Sequence, residues 1–237
     1  MKTLLISLLA CGIALAQTPP APQKAPAAPK KAAPAAAADL LKPGTLKARS
    51  PEVYKVKLTT TKGDVIIQVN RAWAPIGADR FYNLVRGGFF KDAAFFRTIP
   101  NFMTQFGIPA RPDVAAAWAH ADLIDDRVTQ SNKRGMVTFA KTSLPNSRST
   151  QIFINYGDNV FLDPQGFAPF GQVIQGMDVV DKFFSGYGES PDQGRITAQG
   201  KAYLDKSFPN LDRIVNAVVM PADAPAPAAA PAADAKK

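Results

Sequence analysis

Cysteine and histidine are almost missing from this chain: its 237 residues hold one of each, Cys11 and His120. Cys11 lies in the apolar stretch that opens the sequence. If that stretch is removed, disulfides, a thiolate nucleophile and Cys-based zinc sites are excluded together. A single histidine cannot build the usual multi-His metal site, and nothing of the form GxSxG accompanies it. His120, in "AAAWAHADL", therefore reads as a solvated or hydrogen-bonded loop residue. A basic cluster is lacking as well. The net charge of +9 divides into +6 for residues 1–50, +3 for 51–220 and 0 for 221–237. With no Lys/Arg cluster interleaved with aromatics in the central region, nucleic acid is not expected as a partner. The chemistry must be possible without metal, thiol or imidazole.

The ends are informative. Met1-Lys2, the apolar run from Thr3 to Ala14 and "ALAQ" at 14–17 read as a secretory signal, 1–16, with a mature chain from Gln17. The expected location is outside the cytoplasm, most simply a periplasm. The run is too short for a membrane span of about 20 residues. An alternative takes "LLAC" as a lipoprotein signal with a lipid on Cys11, although the apolar run before that cysteine is very short and Leu9 is bulky for its place. Eleven of the 21 prolines fall in two Pro/Ala tracts, within 17–43 and 221–237. Such tracts have little to bury and are expected to be extended spacers. The expected organisation is a linker at 17–49, one domain at 50–220 and a tail at 221–237, without internal repeats.

Inside the domain, "VYKVKLTT" (53–60) and "DVIIQVN" (64–70) alternate about a turn at Lys62-Gly63 and predict a hairpin. Pro75 predicts a helix start, with Ile76, Phe81, Leu84 and Val85 near one face and a stop at Gly87-Gly88. Strands are expected near 94–99, 102–106, 136–140, 151–155, 168–174 and 212–219, with helices at 177–184 and near 196–206. Many short strands and few helices predict an antiparallel sheet that buries one face, closed into a barrel with helices over its ends.

One segment stands out, "FFRTIPNFMTQFG" (95–107), where Arg97 and Gln105 sit among Phe, Ile and Met. A three-residue loop at Ile99-Pro100-Asn101 would put Arg97 opposite Met103 and diagonal to Gln105, all on one face. The amide oxygen of Gln105 could then accept from the guanidinium and fix its fork. Periodicity alone leaves open an edge-strand arginine with its head in water and its stem along the phenylalanines.

This segment resembles the cyclophilin pattern F-H-R-x-I-P-x-F-M-x-Q-x-G. "GMVTFAKTSLPNSRSTQIFI" (135–154), "FLDPQGFAPFGQVIQGMDVVD" (161–181) and "APIGADRFYNLV" (74–85) resemble further blocks of that family in the same order. The resemblance covers about 52–185. It implies a peptidyl-prolyl cis-trans isomerase on an eight-stranded antiparallel barrel capped by two helices, here with an extra C-terminal helical segment. By position it implies Arg97 as the catalytic arginine, Gln105 as the residue that orients it, and Phe102, Met103, Phe153 and Leu162 as a proline pocket. Ala140, Lys141 and Gln151 would line the groove for the preceding backbone. Phe96 stands where the family commonly has His, Phe161 where many eukaryotic members have Trp, and Lys141 where they have Asn, while Phe167 is the candidate for a missing pocket histidine. The expected partners are polypeptides containing Xaa-Pro bonds, handled by a monomer without cofactor or metal to assist folding of exported proteins. The alternative is a chaperone-like module that binds Pro-containing segments in the same groove without turning them. The block 186–214 extends past the family core, and the resemblance gives it no role.

Overall fold

The structure is a computed structural model and describes residues 40–221. The signal and most of the linker, 1–39, and the tail from 222 lie outside the described residues. Within them, the chain runs β1 (Val53–Thr60), β2 (Gly63–Asn70), α1 (Pro75–Arg86), β3 (Arg97–Ile99), β4 (Met103–Phe106), α2 (Pro112–Trp118), β5 (Met136–Phe139), β6 (Ile152–Asn155), β7 (Pro169–Gln175), α3 (Met177–Val180), α4 (Gln193–Ser207) and β8 (Ile214–Val219). No helix among these is long and apolar enough to cross a membrane.

Eight antiparallel strands form one curled sheet in the order β3-β4-β6-β5-β7-β2-β1-β8. The sequence predicts a closed barrel, but strand pairing does not continue from β3 round to β8, so the sheet is a half-barrel. The reason lies at Asp92, whose φ of +60° breaks the extended chain before β3. The segment that meets β8 is this short approach, joined by Phe95 N–H to Asp212 C=O at 2.9 Å and Ile214 N–H to Ala93 C=O at 2.8 Å.

The β1–β2 hairpin turns through two residues, with Thr60 opposite Gly63. Alternation places Val56, Leu58, Val65, Ile67 and Val69 in the main core, where Phe81, Phe90, Phe106, Phe139 and Phe170 join them. Helix α1 starts at Pro75 and buries Phe81, Leu84 and Val85. Ile76 is a correction to the predicted apolar face: it is exposed, because the inward first-turn positions are Gly77 and Ala78. The helix start has no side-chain cap of its own. Asp126 supplies one from a distant loop, accepting from Ile76 N–H at 3.0 Å and Gly77 N–H at 2.8 Å. Its carboxylate also accepts from Arg148 Nη1 at 2.9 Å.

Two differences come from segments poor in large apolar residues. Helix α2, in "PDVAAAW", has no counterpart among the predicted elements, since its inward face is only Val114, Ala115 and Trp118. It packs against α4, which kinks at Gly200 (φ +59°), where a Cβ would meet Ala110 C=O. Residues 40–49, assigned from sequence to the linker, lie on the domain instead. Trp118 donates its indole N–H to Leu40 C=O at 2.8 Å, and Asn83 exchanges hydrogen bonds with the backbone of Ala48. These polar partners, with Leu40 and Leu46 packed against the main core, hold this stretch.

Because Arg148 is 1 % exposed, removing the Asp126 carboxylate would strand a buried cation and two helix N–H groups. Asp126→Ala is expected to lower the unfolding free energy by about 3–5 kcal/mol, read from urea denaturation. A loss under about 1 kcal/mol would mean that Asp125, 3.2 Å from Arg148 Nε, compensates alone.

Candidate active site

The β3–β4 hairpin sets the site. Arg97 pairs with Gln105 and Ile99 with Met103, so the loop is Pro100-Asn101-Phe102. The predicted register is thus shifted by two: Arg97 faces Gln105 directly instead of Met103. The parity is kept, and all three side chains still share a face. Asn101, expected in the loop, is there and takes its left-handed position with φ +64°, whereas Ile99, also expected in the loop, belongs to β3 and Phe102 replaces it. Thr98 and Thr104 point the other way and share a hydroxyl contact at 2.9 Å.

Gln105 is 7 % exposed, so both ends of its amide need partners. Its Oε1 accepts from Arg97 Nη1 at 3.3 Å, and its Nε2 donates to Gln151 Oε1 at 2.7 Å. A guanidinium only donates, which forces the oxygen of Gln105 toward Arg97. The plane of Arg97 lies over the Phe102 ring, 5.8 Å from its centroid. Next to this chain, Met103, Phe153 and Leu162 form a buried apolar cluster, with Phe102, Ala140 and Phe167 packed against it. Phe153 sits opposite Gln105 across the β4–β6 ladder, so the polar chain and the apolar cluster share an edge.

The other predicted residues fall around this centre. Ala140 donates its N–H to Gln151 C=O at 2.9 Å, and both line an open cavity of about 330 Å³ bounded by Trp118 and by Gln193 and Thr197 of α4. Lys141 lies along the same cavity with a 9 % exposed side chain, its ammonium 3.2 Å from Gln165 C=O, 3.5 Å from Asp125 and 6.0 Å from the Phe167 centroid. Phe161 is 55 % exposed and stacks on Phe102 at 6.0 Å, outside the buried cluster. Gly107 closes β4 at φ +107°, and a Cβ there would lie 2.3 Å from Thr150 C=O, so only glycine lets β4 run this close to the backbone that carries Gln151. His120 is exposed just past α2. Among the described residues no group of His, Cys, Asp and Glu is arranged to hold a metal ion.

Three contributors were not among the predicted site residues, although Asp163 stands in the "FLD" block quoted above. Asn132, fully buried, donates to Asp163 Oδ1 and to Phe167 C=O, both at 2.8 Å, and accepts from Thr138 Oγ1 at 2.8 Å. Asp163 also accepts from Ser131 Oγ at 2.5 Å. Together they hold the turn that presents Leu162. The third is Glu189, 92 residues beyond Arg97, whose carboxylate accepts from Arg97 Nε at 2.6 Å and also meets Nη2.

Burial acts to raise the Asp163 carboxyl, but the hydrogen bonds from Ser131 and Asn132 outweigh it and hold the group below the usual carboxylate range. A depressed folded-state value stabilises fully above the unfolded value near 4 and is lost as pH falls through the folded one. Asp163→Asn is therefore expected to be less stable than the unsubstituted protein at neutral pH, with the gap narrowing as pH falls below about 4 in urea titrations. A gap independent of pH would remove the carboxylate from the explanation.

Comparison with known proteins identifies the family. The family described as "Cyclophilin type peptidyl-prolyl cis-trans isomerase/CLD" matches residues 55–201. A peptidyl-prolyl cis-trans isomerase of Acinetobacter baylyi is 39 % identical over 131 residues, covering 54 % of this chain and 70 % of the relative. Peptidyl-prolyl cis-trans isomerase B of Escherichia coli K12 is 30 % identical over 174 residues, 70 % of this chain and 98 % of the relative. The fold is similar to that of a Cryptosporidium parvum cyclophilin-type isomerase, with a TM-score of 0.53 at 19 % identity over 71 % of this chain and 98 % of that one. It is also similar to cyclophilin AquaCyp293 from Hirschia baltica, with a TM-score of 0.54 at 20 % identity over 72 % and 75 %. The matched stretch runs from β1 into α4 and takes in both strands of the arginine hairpin, and on this evidence the chain belongs to the cyclophilin-type peptidyl-prolyl cis-trans isomerases.

Proposed function

We propose that Arg97 is the catalytic group of this isomerase, with Gln105 fixing its fork and the Met103, Phe153, Leu162 cluster, edged by Phe102, receiving the proline ring. The carrying observation is the Arg97 guanidinium, hydrogen-bonded to a buried Gln105 at the lip of an apolar cluster. Turning an Xaa-Pro amide breaks no covalent bond. Its barrier of about 20 kcal/mol comes from amide resonance, so the protein needs only to bind the twisted amide better than either planar form. A fixed guanidinium does this by donating toward the prolyl nitrogen, whose lone pair localises on twisting, or toward the neighbouring carbonyl. The apolar walls keep water from screening that contact. Each 1.36 kcal/mol of preference is worth tenfold, so lowering the barrier by about 7 kcal/mol accelerates turning about 10⁵-fold.

Ala140, Lys141 and Gln151 line the groove along which the preceding backbone would lie, with Phe161 at its outer edge. The reaction so drawn uses groups from one copy of the chain, and neither metal nor cofactor enters it. In this reading the substrates are flexible Pro-containing segments of exported proteins, met outside the cytoplasm after removal of residues 1–16. The support for export is the character of that leader and the Pro/Ala tract behind it.

Two measurements test the proposal. By NMR exchange on a short Xaa-Pro peptide, the protein is expected to turn the bond rapidly and Arg97→Ala to lose at least about tenfold while keeping its fold. Binding without turning would make the groove a recognition site only. N-terminal sequencing of the chain recovered from cell fractions is expected to start at Gln17 in the envelope fraction, whereas Met1 retained in the cytoplasm would end the export reading.

A further inference from the structure

We propose that Glu189 is a displaceable latch on Arg97, a carboxylate that competes with the incoming peptide for the guanidinium and so sets how readily the groove takes a substrate. The inference rests on the reading of Arg97 as the catalytic group, and it assigns a role to a residue of the block 186–214, to which the sequence resemblance gave none.

A guanidinium has five N–H groups. Gln105 takes one on Nη1, with the Met103 sulfur 3.9 Å from the same nitrogen. Glu189 takes Nε and one N–H of Nη2 through a single oxygen. Three of the five are thus taken, Met103 stands against Nη1, and the positive charge that would attract a peptide carbonyl is offset by the carboxylate. A substrate that uses the Nε edge of the fork displaces a partner. Gln105 is buried and tied at its other end to Gln151, so it stays. The Glu189 side chain is 64 % exposed, and an ion pair this open is worth no more than about fivefold in an equilibrium. It is the partner that leaves.

The loop that carries the carboxylate is built, not incidental. Gly188 N–H bonds Ser185 C=O at 3.0 Å, and Ser190 N–H bonds Tyr187 C=O at 2.9 Å. Gly188 adopts φ +53°, a conformation L side chains rarely take. The Tyr187 ring meets Phe184 at 4.8 Å and Phe208 at 5.0 Å, edge to face in both cases. On the far side Asp192 caps α4 by accepting from Arg195 N–H at 2.7 Å. The helix is fastened to the sheet through a second apolar cluster, in which Ile196, Tyr203 and Leu204 bury Phe96. Phe96 immediately precedes Arg97, so the residue that departs from the family's histidine anchors the extension that brings Glu189 to the arginine.

The test compares the full chain with Glu189→Gln and Glu189→Ala, both exposed changes, by NMR exchange on a short Xaa-Pro peptide titrated to separate KM from kcat. KM is expected to fall two- to fivefold with kcat unchanged within about twofold. Raising NaCl to about 0.5 M should lower KM for the unsubstituted protein and leave the variants unmoved. The Arg97 Nε–H resonance should shift in both variants, and in the unsubstituted protein on adding peptide. A fall in kcat at constant KM would overturn the latch and make Glu189 a residue that holds Arg97 in place. Unchanged KM with an unmoved Nε–H resonance would overturn it as well. If the unsubstituted protein does not turn the peptide, the reading of Arg97 as catalytic fails first; peptide affinity from the same titration, unaltered in Glu189→Gln, would then sink the latch separately.

Discussion

A buried primary amide has one oxygen and one nitrogen to satisfy, and at Gln105 both are committed, to Arg97 on one side and Gln151 on the other. Much of the site follows from that constraint. The hairpin register must be even, or Arg97 and Gln105 would fall on opposite faces of the sheet. Strand β4 must run against β6, because Gln151 lies just ahead of that strand. Gly107 must lack a side chain for the two backbones to come so near. The same strand turns Thr104 and Phe106 toward the other face, fully buried, so the site cannot shift without moving the core beneath it.

The electrostatics divide into fixed and movable parts. Arg148 is deeply buried and held by Asp126, which also caps α1, while Asp125 beside it reaches Lys141 on the groove. This network gives the groove wall a rigid base, since a charge of that burial cannot be left unpaired. Lys141 is thereby a largely buried side chain with its ammonium over the Phe167 ring, where many eukaryotic members have the neutral amide of Asn. Arg97 is the contrasting case: one neutral buried partner and one exposed carboxylate. If Arg97 is the catalytic group proposed above, its orientation is set by the first and its accessibility by the second.

Much of this was legible in the sequence because it was written in local periodicity. The alternation of 53–70, the proline and paired glycines that bound α1, and the spacing of Arg97 and Gln105 each follow from side-chain direction along one element. What escaped was carried by contacts across the chain. The hairpin loop moved by one residue, and the partner of Arg97 by two, because Asn101 takes a left-handed conformation that polarity patterns do not encode. Helix α2 has three alanines among its seven residues, and Val114 and Trp118 tie it to the main core beside its packing on α4. Residues 40–49 are ordered by Trp118 and Asn83, far ahead in sequence. Asn132 and Glu189 are ordinary polar residues in loops, and only the fold tells them apart from their neighbours.

The order of the strands has a temporal side. Val56, in the first strand, pairs with Val219, in the last, and the approach to β3 is hydrogen-bonded to the start of that same strand. Neither edge of the sheet is finished until almost the entire domain has been released from whatever is delivering it. At the usual pace of synthesis, about 5–20 residues per second, β1 and β2 wait on the order of ten seconds or more with one edge unpaired. A prolyl isomerase is here itself a late-closing fold, and its first hairpin must stay unaggregated through that interval on its own. The alternating lysines Lys55 and Lys57, on the outer face of β1, put charge along the waiting edge.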